Sequence, residues 1–173
     1  MMKYFKDEKN NVYAYAADGS EDDFIQPELI AISEAEALAI VNPLPDIEDA
    51  RSRKHDEINA WRNKQENTNY TFTFDNHKWD YGKATQERLT LSVQMAKANK
   101  LPAGFIWTDA DNNDVPVTAG ELLNLSDAID QAMFTMGIKI HMRQREMKEE
   151  IDKLTDVKTI LDYKIGWPDI PTK

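Results

Sequence analysis

The chain has 173 residues, with 31 Asp and Glu against 21 Lys and Arg, and no cysteine. That length holds one domain or two small ones, and 41% apolar residues with four Trp set it apart from disordered chains. A net charge of −10 argues against nucleic-acid binding, zero Cys removes disulfides, thiolate zinc sites and cysteine nucleophiles, and no apolar run approaches the roughly 18 residues of a membrane span.

The opening Met-Met-Lys-Tyr-Phe-Lys-Asp lacks the apolar stretch of a signal peptide, so a cytoplasmic protein is expected. Charge is unevenly spread. Residues 1–49 carry 12 acidic and 3 basic side chains, a net of −9, and the remaining 124 residues carry −1. Such a shift suggests two modules, and Asn42-Pro43-Leu44-Pro45 marks the join with two prolines that stop a helix. The expected division is 1–42 and 43–173.

The first module reads as β-β-α. Lys3 to Lys6 and Val12 to Tyr15 flank the turn formers Asp7 to Asn11, a hairpin signal. Phe24 and Ile25 suggest a further short extended segment. Ser33-Glu34-Ala35-Glu36 is a capping box, and Leu38, Ile40 and Val41 continue a short helix that ends before Pro43.

The second module opens with a helical stretch over 46–65, in which Ile47, Ala50, Ile58 and Trp61 form a stripe broken by Lys54. Tyr70-Thr71-Phe72-Thr73-Phe74 alternates at period two, the strongest strand signal in the chain. Asp75 to Lys78 then forms a turn and Trp79-Asp80-Tyr81 the return strand. Helical spacing resumes over 84–99 with Leu89, Val93 and Ala96. Phe105 to Thr108 and Val115 to Val117 flank an acidic loop as a second hairpin, with Pro116 on an edge.

Thr118-Ala119-Gly120-Glu121 is a second capping box, opening a run from Leu122 to Leu154 with apolar steps of three and four. Unbroken, that helix would span about 55 Å at 1.5 Å per residue. Either it kinks near Gly137 or its distal half finds a partner outside the domain. Met133, Met136, Met142 and Met147 are either a core seam or an adaptable binding surface. Residues 156–163 suggest a last short helix. Trp167-Pro168 is a C-terminal anchor that caps the core or meets a partner. The expected fold class is α+β, a small N-terminal module followed by a domain with two hairpins and a long C-terminal helix.

Chemical motifs are few. Asp109-x-Asp111-x-Asn113 begins like a calcium loop, but Asp114 stands where glycine is needed and Gly120 where glutamate is needed. His55, His77 and His141 have no metal-binding spacing, and no Walker loop, dinucleotide fingerprint or Gly-x-Ser-x-Gly elbow occurs. Paired carboxylates such as Asp22-Asp23 read as solvated faces. No catalytic residue, metal site or cofactor is assigned.

Lys3-Tyr4-Phe5-Lys6-Asp7, Asn11-Val12-Tyr13-Ala14-Tyr15, Asp18-Gly19-Ser20 and Ser33 to Ala37 resemble the N-terminal module of bacteriophage tail-fibre assembly proteins. Glu57-Ile58-x-x-Trp61-Arg62, Phe72-x-Phe74, Trp79-Asp80, Gln86-x-Arg88, Trp107-Thr108 and Thr118-x-x-Glu121-Leu122 resemble a domain of unassigned function found at the C-terminal end of phage tail proteins. The better-known assembly chaperones carry a different C-terminal region. The resemblance implies a non-enzymatic chaperone for the C-terminal, receptor-binding end of a trimeric tail fibre, working in the host cytoplasm during virion assembly. A structural component retained in the virion tail is the second reading, and a cell-wall glycan hydrolase the third, for which no site is legible. Alternation and methionine content point to Phe72, Phe74, Met133, Met136 and Ile140 as the partner-binding surface, with the long helix as a route to self-association.

Overall fold

The computed structural model describes residues 1–168. The protein is α+β, with N-terminal strands, two later hairpins and a long helix near the C-terminus. Two compact units form: Met1–Ala50 with Thr155–Asp162, and Arg51–Leu154 with residues 163–168.

In the first unit, β1 (Met2–Lys6) is the centre of a three-stranded antiparallel sheet between β2 (Val12–Ala16) and β3 (Ile30–Ile32). The β1–β2 turn is held by Asp7, whose carboxylate accepts the backbone N–H groups of Lys9 and Asn11 at 2.9 and 2.8 Å. The third strand departs from the β-β-α reading. Phe24 ends a 3₁₀ turn, Asp22–Phe24, and the extended segment lies further on, paired to Tyr4, Phe5 and Lys6. Ser33 then caps α1 (Glu34–Val41) as expected, its hydroxyl accepting from Glu36 N while the Glu36 carboxylate accepts from Ser33 N. The unit's buried side chains are Ala37, Ala50 and Ile160, the last on α5 (Val157–Asp162).

In the second unit, α2 (Ile47–Glu66, from Arg51 on) leads to β4 (Tyr70–Phe74) and β5 (His77–Tyr81). Their turn is shorter than expected. Phe74 pairs with His77, and only Asp75 and Asn76 turn the chain, at φ of 49° and 62°. Two left-handed residues match the twist of a tight hairpin, and Asp and Asn tolerate that region. α3 (Lys83–Lys97) follows, then the short hairpin β6 (Ile106–Thr108) and β7 (Asp114–Pro116). Trp79, Tyr81, Leu89, Ala96, Leu122, Leu125 and Ile129 form the core, with Tyr70, Phe72 and Phe74 packed against it from the inward face of β4.

The acidic β6–β7 loop folds around its own first residue. The Asp109 carboxylate accepts N–H groups from Asp111 (2.9 Å) and Asn113 (2.8 Å), the Asn113 amide (3.1 Å) and faces His77 Nδ1 at 3.4 Å. The Asn113 backbone N–H leads in holding this carboxyl below the usual range, assisted by the other donors. Ala110 N donates to Lys78 O, tying the second hairpin to the first.

α4 (Ala119–Lys153) is one continuous helix of 35 residues, about 52 Å long, started by the Thr118–Glu121 capping box. The expected choice between a kink and an outside partner is resolved another way: the distal half lies against α2 of the same chain. Arg51 Nη2 donates to Leu154 O at 2.8 Å, His55 Nε2 lies 2.9 Å from Asp152 Oδ1, and the buried Gln144 amide joins Arg62 (3.1 Å) and Asn59 (2.9 Å). These pairings run antiparallel. Ile140, Met147 and Ile151 are buried along this half of α4, as is Ile58 on α2. Lys54 does not break the α2 stripe. It is buried on the same face and its ammonium reaches Glu57 Oε2 at 2.8 Å, so its carbon stem is covered while its charge is paired.

Candidate functional site

Four elements of the second unit converge on an open, largely apolar groove of about 310 Å³. The end of α2 supplies Gln65 and Glu66, the hairpin supplies Tyr70 and Tyr81, the start of α3 supplies Gly82 and Lys83, and α4 supplies Met133, Met136, Gly137 and Ile140.

One wall is aromatic. Tyr70 and Tyr81 face each other across the hairpin as the terminal register pair, and their rings stack at 5.6 Å. Burial raises both phenol pKa values, which keeps them neutral hydrogen-bonding groups at ordinary pH. The Tyr70 hydroxyl donates to Gln65 Oε1 at 2.7 Å, and the same oxygen accepts from Trp167 Nε1 at 3.1 Å. Trp167 also sets its ring edge to face with Trp61 at 5.2 Å, and Arg143 Nε donates to Gly166 O at 2.8 Å. The expected tail anchor thus fastens beside the groove, and Gln65 connects the two.

The end of the groove depends on a glycine. Gly82 lies at φ 152° and ψ 177°, a region open to glycine alone. A Cβ there would stand 2.5 Å from Asn69 Oδ1 and 3.3 Å from Thr68 O. Only glycine lets the α2–β4 turn and the start of α3 approach this closely. The rim charges are occupied: Glu66 accepts from Arg62 Nε at 2.9 Å and Lys83 Nζ donates to Asn67 at 3.2 Å.

The opposite wall is α4. Met133 and Met136 are half-buried and Ile140, 2% exposed, forms part of the floor. Gly137 is exposed, and a Cβ there would meet nothing within 4 Å. Of the five residues expected to meet a partner, the groove collects Met133, Met136 and Ile140. Phe72 and Phe74 lie elsewhere, half-buried against the unit's own core, with Phe72 edge-on to Tyr81 at 5.6 Å. Sequence spacing missed Tyr70, Tyr81 and Gly82. Tyr70 shares the inward alternation of Phe72, and Gly82 directly precedes a helical run, so the signals were present but not pointing to a common place.

Residues 49–165 match the family model described as Domain of unknown function (DUF4376). The chain belongs to that family. No curated protein and no solved structure matches it. The groove lies wholly within the matched stretch, and residues 1–48 lie outside it.

Proposed function

We propose that this member of the family is a non-enzymatic assembly chaperone for a bacteriophage tail fibre, holding the C-terminal, receptor-binding end of the fibre in the host cytoplasm until the virion assembles. The observation that carries the reading is the methionine-lined groove. Thioether side chains fill irregular shapes at low cost, so Met133 and Met136 suit a pocket that receives an apolar side chain from a partner. A fibre chain awaiting assembly exposes such side chains and unpaired strand edges. The residues that resemble the N-terminal module of tail-fibre assembly proteins support the same reading, and the net −9 of residues 1–49 would keep a complex soluble.

Co-expression with the neighbouring fibre protein tests this. The fibre should become soluble and trimeric with this chain and aggregate without it; equal solubility in both cases refutes the proposal. A second reading, a structural component retained in the tail, draws on the unbroken length of α4. Mass spectrometry of purified particles separates the two, because a chaperone should be absent or substoichiometric.

A further inference from the structure

The outward face of α4 borders the groove at Gly137 and carries a strip of exposed apolar side chains. Phe134, Ile138 and Met142, four residues apart, are 66%, 45% and 65% exposed. That spacing sets the three on one side of the helix. They are a short apolar strip on an otherwise solvated surface, and charge is ordered around them. Asp127 and Asp130 stand on the N-terminal side, Arg145 and Lys148 on the C-terminal side. Among the described residues none of these four makes an ion pair, and Asp130 has only a neutral hydrogen bond, from the Gln86 amide at 2.9 Å.

An acidic end, an apolar centre and a basic end along one helix face make that face complementary to itself when reversed. An antiparallel partner related by a two-fold axis between Gly137 and Ile138 sets Asp127 and Asp130 of one copy opposite Arg145 and Lys148 of the other, twice. Glu149, on the same side, falls opposite Ser126. A parallel partner would set acid on acid and base on base. At the crossing point stands Gly137, a residue unfavourable in a helix interior; it also borders the groove, and among the described residues a Cβ there would meet nothing within 4 Å. Lacking a side chain, it lets a second backbone come close, as small residues do at helix crossings.

We infer that a second copy of this chain docks antiparallel on the outward face of α4, through Phe134, Ile138 and Met142 flanked by the acid and base pairs. The pairing is isologous, as two-fold dimers require. With only three apolar side chains at its centre, it is a reversible dimer whose population depends on concentration.

Sedimentation equilibrium of the full chain, up to about 1 mM, the weak end of measurable association, tests it. Wild type should shift from monomer to dimer across the series. Ile138→Lys, at an exposed position that leaves the core intact, should abolish the shift. Asp127→Lys with Asp130→Lys should weaken dimerisation at least tenfold, and adding Arg145→Asp and Lys148→Asp should restore it. Trp fluorescence confirms that each variant is folded. A wild type that stays monomeric throughout overturns the inference and leaves the face to a different occupant. So does a double acid-to-lysine variant that dimerises like wild type, the behaviour of a parallel pair. The Ile138→Lys monomer keeps its groove, so its effect on fibre solubility is read separately from the proposed chaperone role.

Discussion

Gly82→Ala is the sharpest test of how the groove is built. At φ 152° and ψ 177° an L side chain costs about 1–3 kcal/mol in the backbone alone. The added methyl must also displace Asn69 Oδ1 from 2.5 Å and stand 3.3 Å from the Thr68 carbonyl. The Asn69 amide can rotate away, but the carbonyl belongs to the turn between α2 and β4, so a further cost on the order of 1 kcal/mol is expected. The sum is roughly 2–4 kcal/mol, a large share of a small domain's stability. With a urea slope of about 2 kcal/mol per M, the midpoint should fall by about 1–2 M. All four tryptophans, Trp61, Trp79, Trp107 and Trp167, belong to the second unit, so Trp fluorescence reports its unfolding directly. Gly137→Ala is the internal control. Its backbone is helical and its surroundings open, so alanine there should stabilise by about 0.5–1 kcal/mol. If Gly82→Ala leaves the midpoint within a few tenths of a molar of wild type, the close approach at the groove's end is not what holds it.

Other consequences follow from the same packing. Met147 is fully buried on the half of α4 that lies along α2; Met147→Ala should cost about 2–5 kcal/mol and Met147→Leu less than about 1.5, measured by urea titration. The Tyr163 phenol is pushed up to about 12 by burial and then by its hydrogen bond to Glu150 and that carboxylate's charge, with Arg143 opposing. In the unfolded chain it ionises near pH 10. Its raised value therefore adds stability that is whole below about pH 10 and is lost as pH rises through about 12. Tyr163→Phe should remove that part of the alkaline slope while leaving the remainder, seen as urea midpoints at several pH values. An unchanged slope contradicts the assigned environment.

What could be read from the sequence was mostly local. Both capping boxes, Ser33 with Glu36 and Thr118 with Glu121, stand where their residues indicate, because the four residues involved satisfy one another without help from the rest of the chain. The alternation of Tyr70 to Phe74 likewise sets the inward face of β4, which packs against the core that holds Trp79 and Tyr81. β3 is not legible locally because the four consecutive apolar residues Leu29 to Ile32 show no period, and only pairing with β1 makes Ile30, Ala31 and Ile32 a strand. The partner of distal α4 was beyond reach for a related reason. Gln144 meets Asn59 and Arg62 more than eighty residues away, and nothing in either local pattern names the other. Lys54 misled because a charged residue counts against a buried stripe until its ion pair with Glu57 is known. The groove combines these difficulties: its walls come from four elements, and Gly82 contributes by what it lacks.

The most direct test of the chaperone reading is to fill the groove while leaving the fold alone. Gly137 has open space around it, so Gly137→Trp should be tolerated by the second unit and project a large ring over Met133, Met136 and Ile140. Co-expressed with the neighbouring fibre protein, this variant should leave the fibre insoluble, while wild type and the Ile138→Lys monomer keep it soluble. Fibre solubility that is the same with Gly137→Trp as with wild type, in a variant whose Trp fluorescence midpoint confirms that it is folded, would contradict the groove as the place where a partner is held.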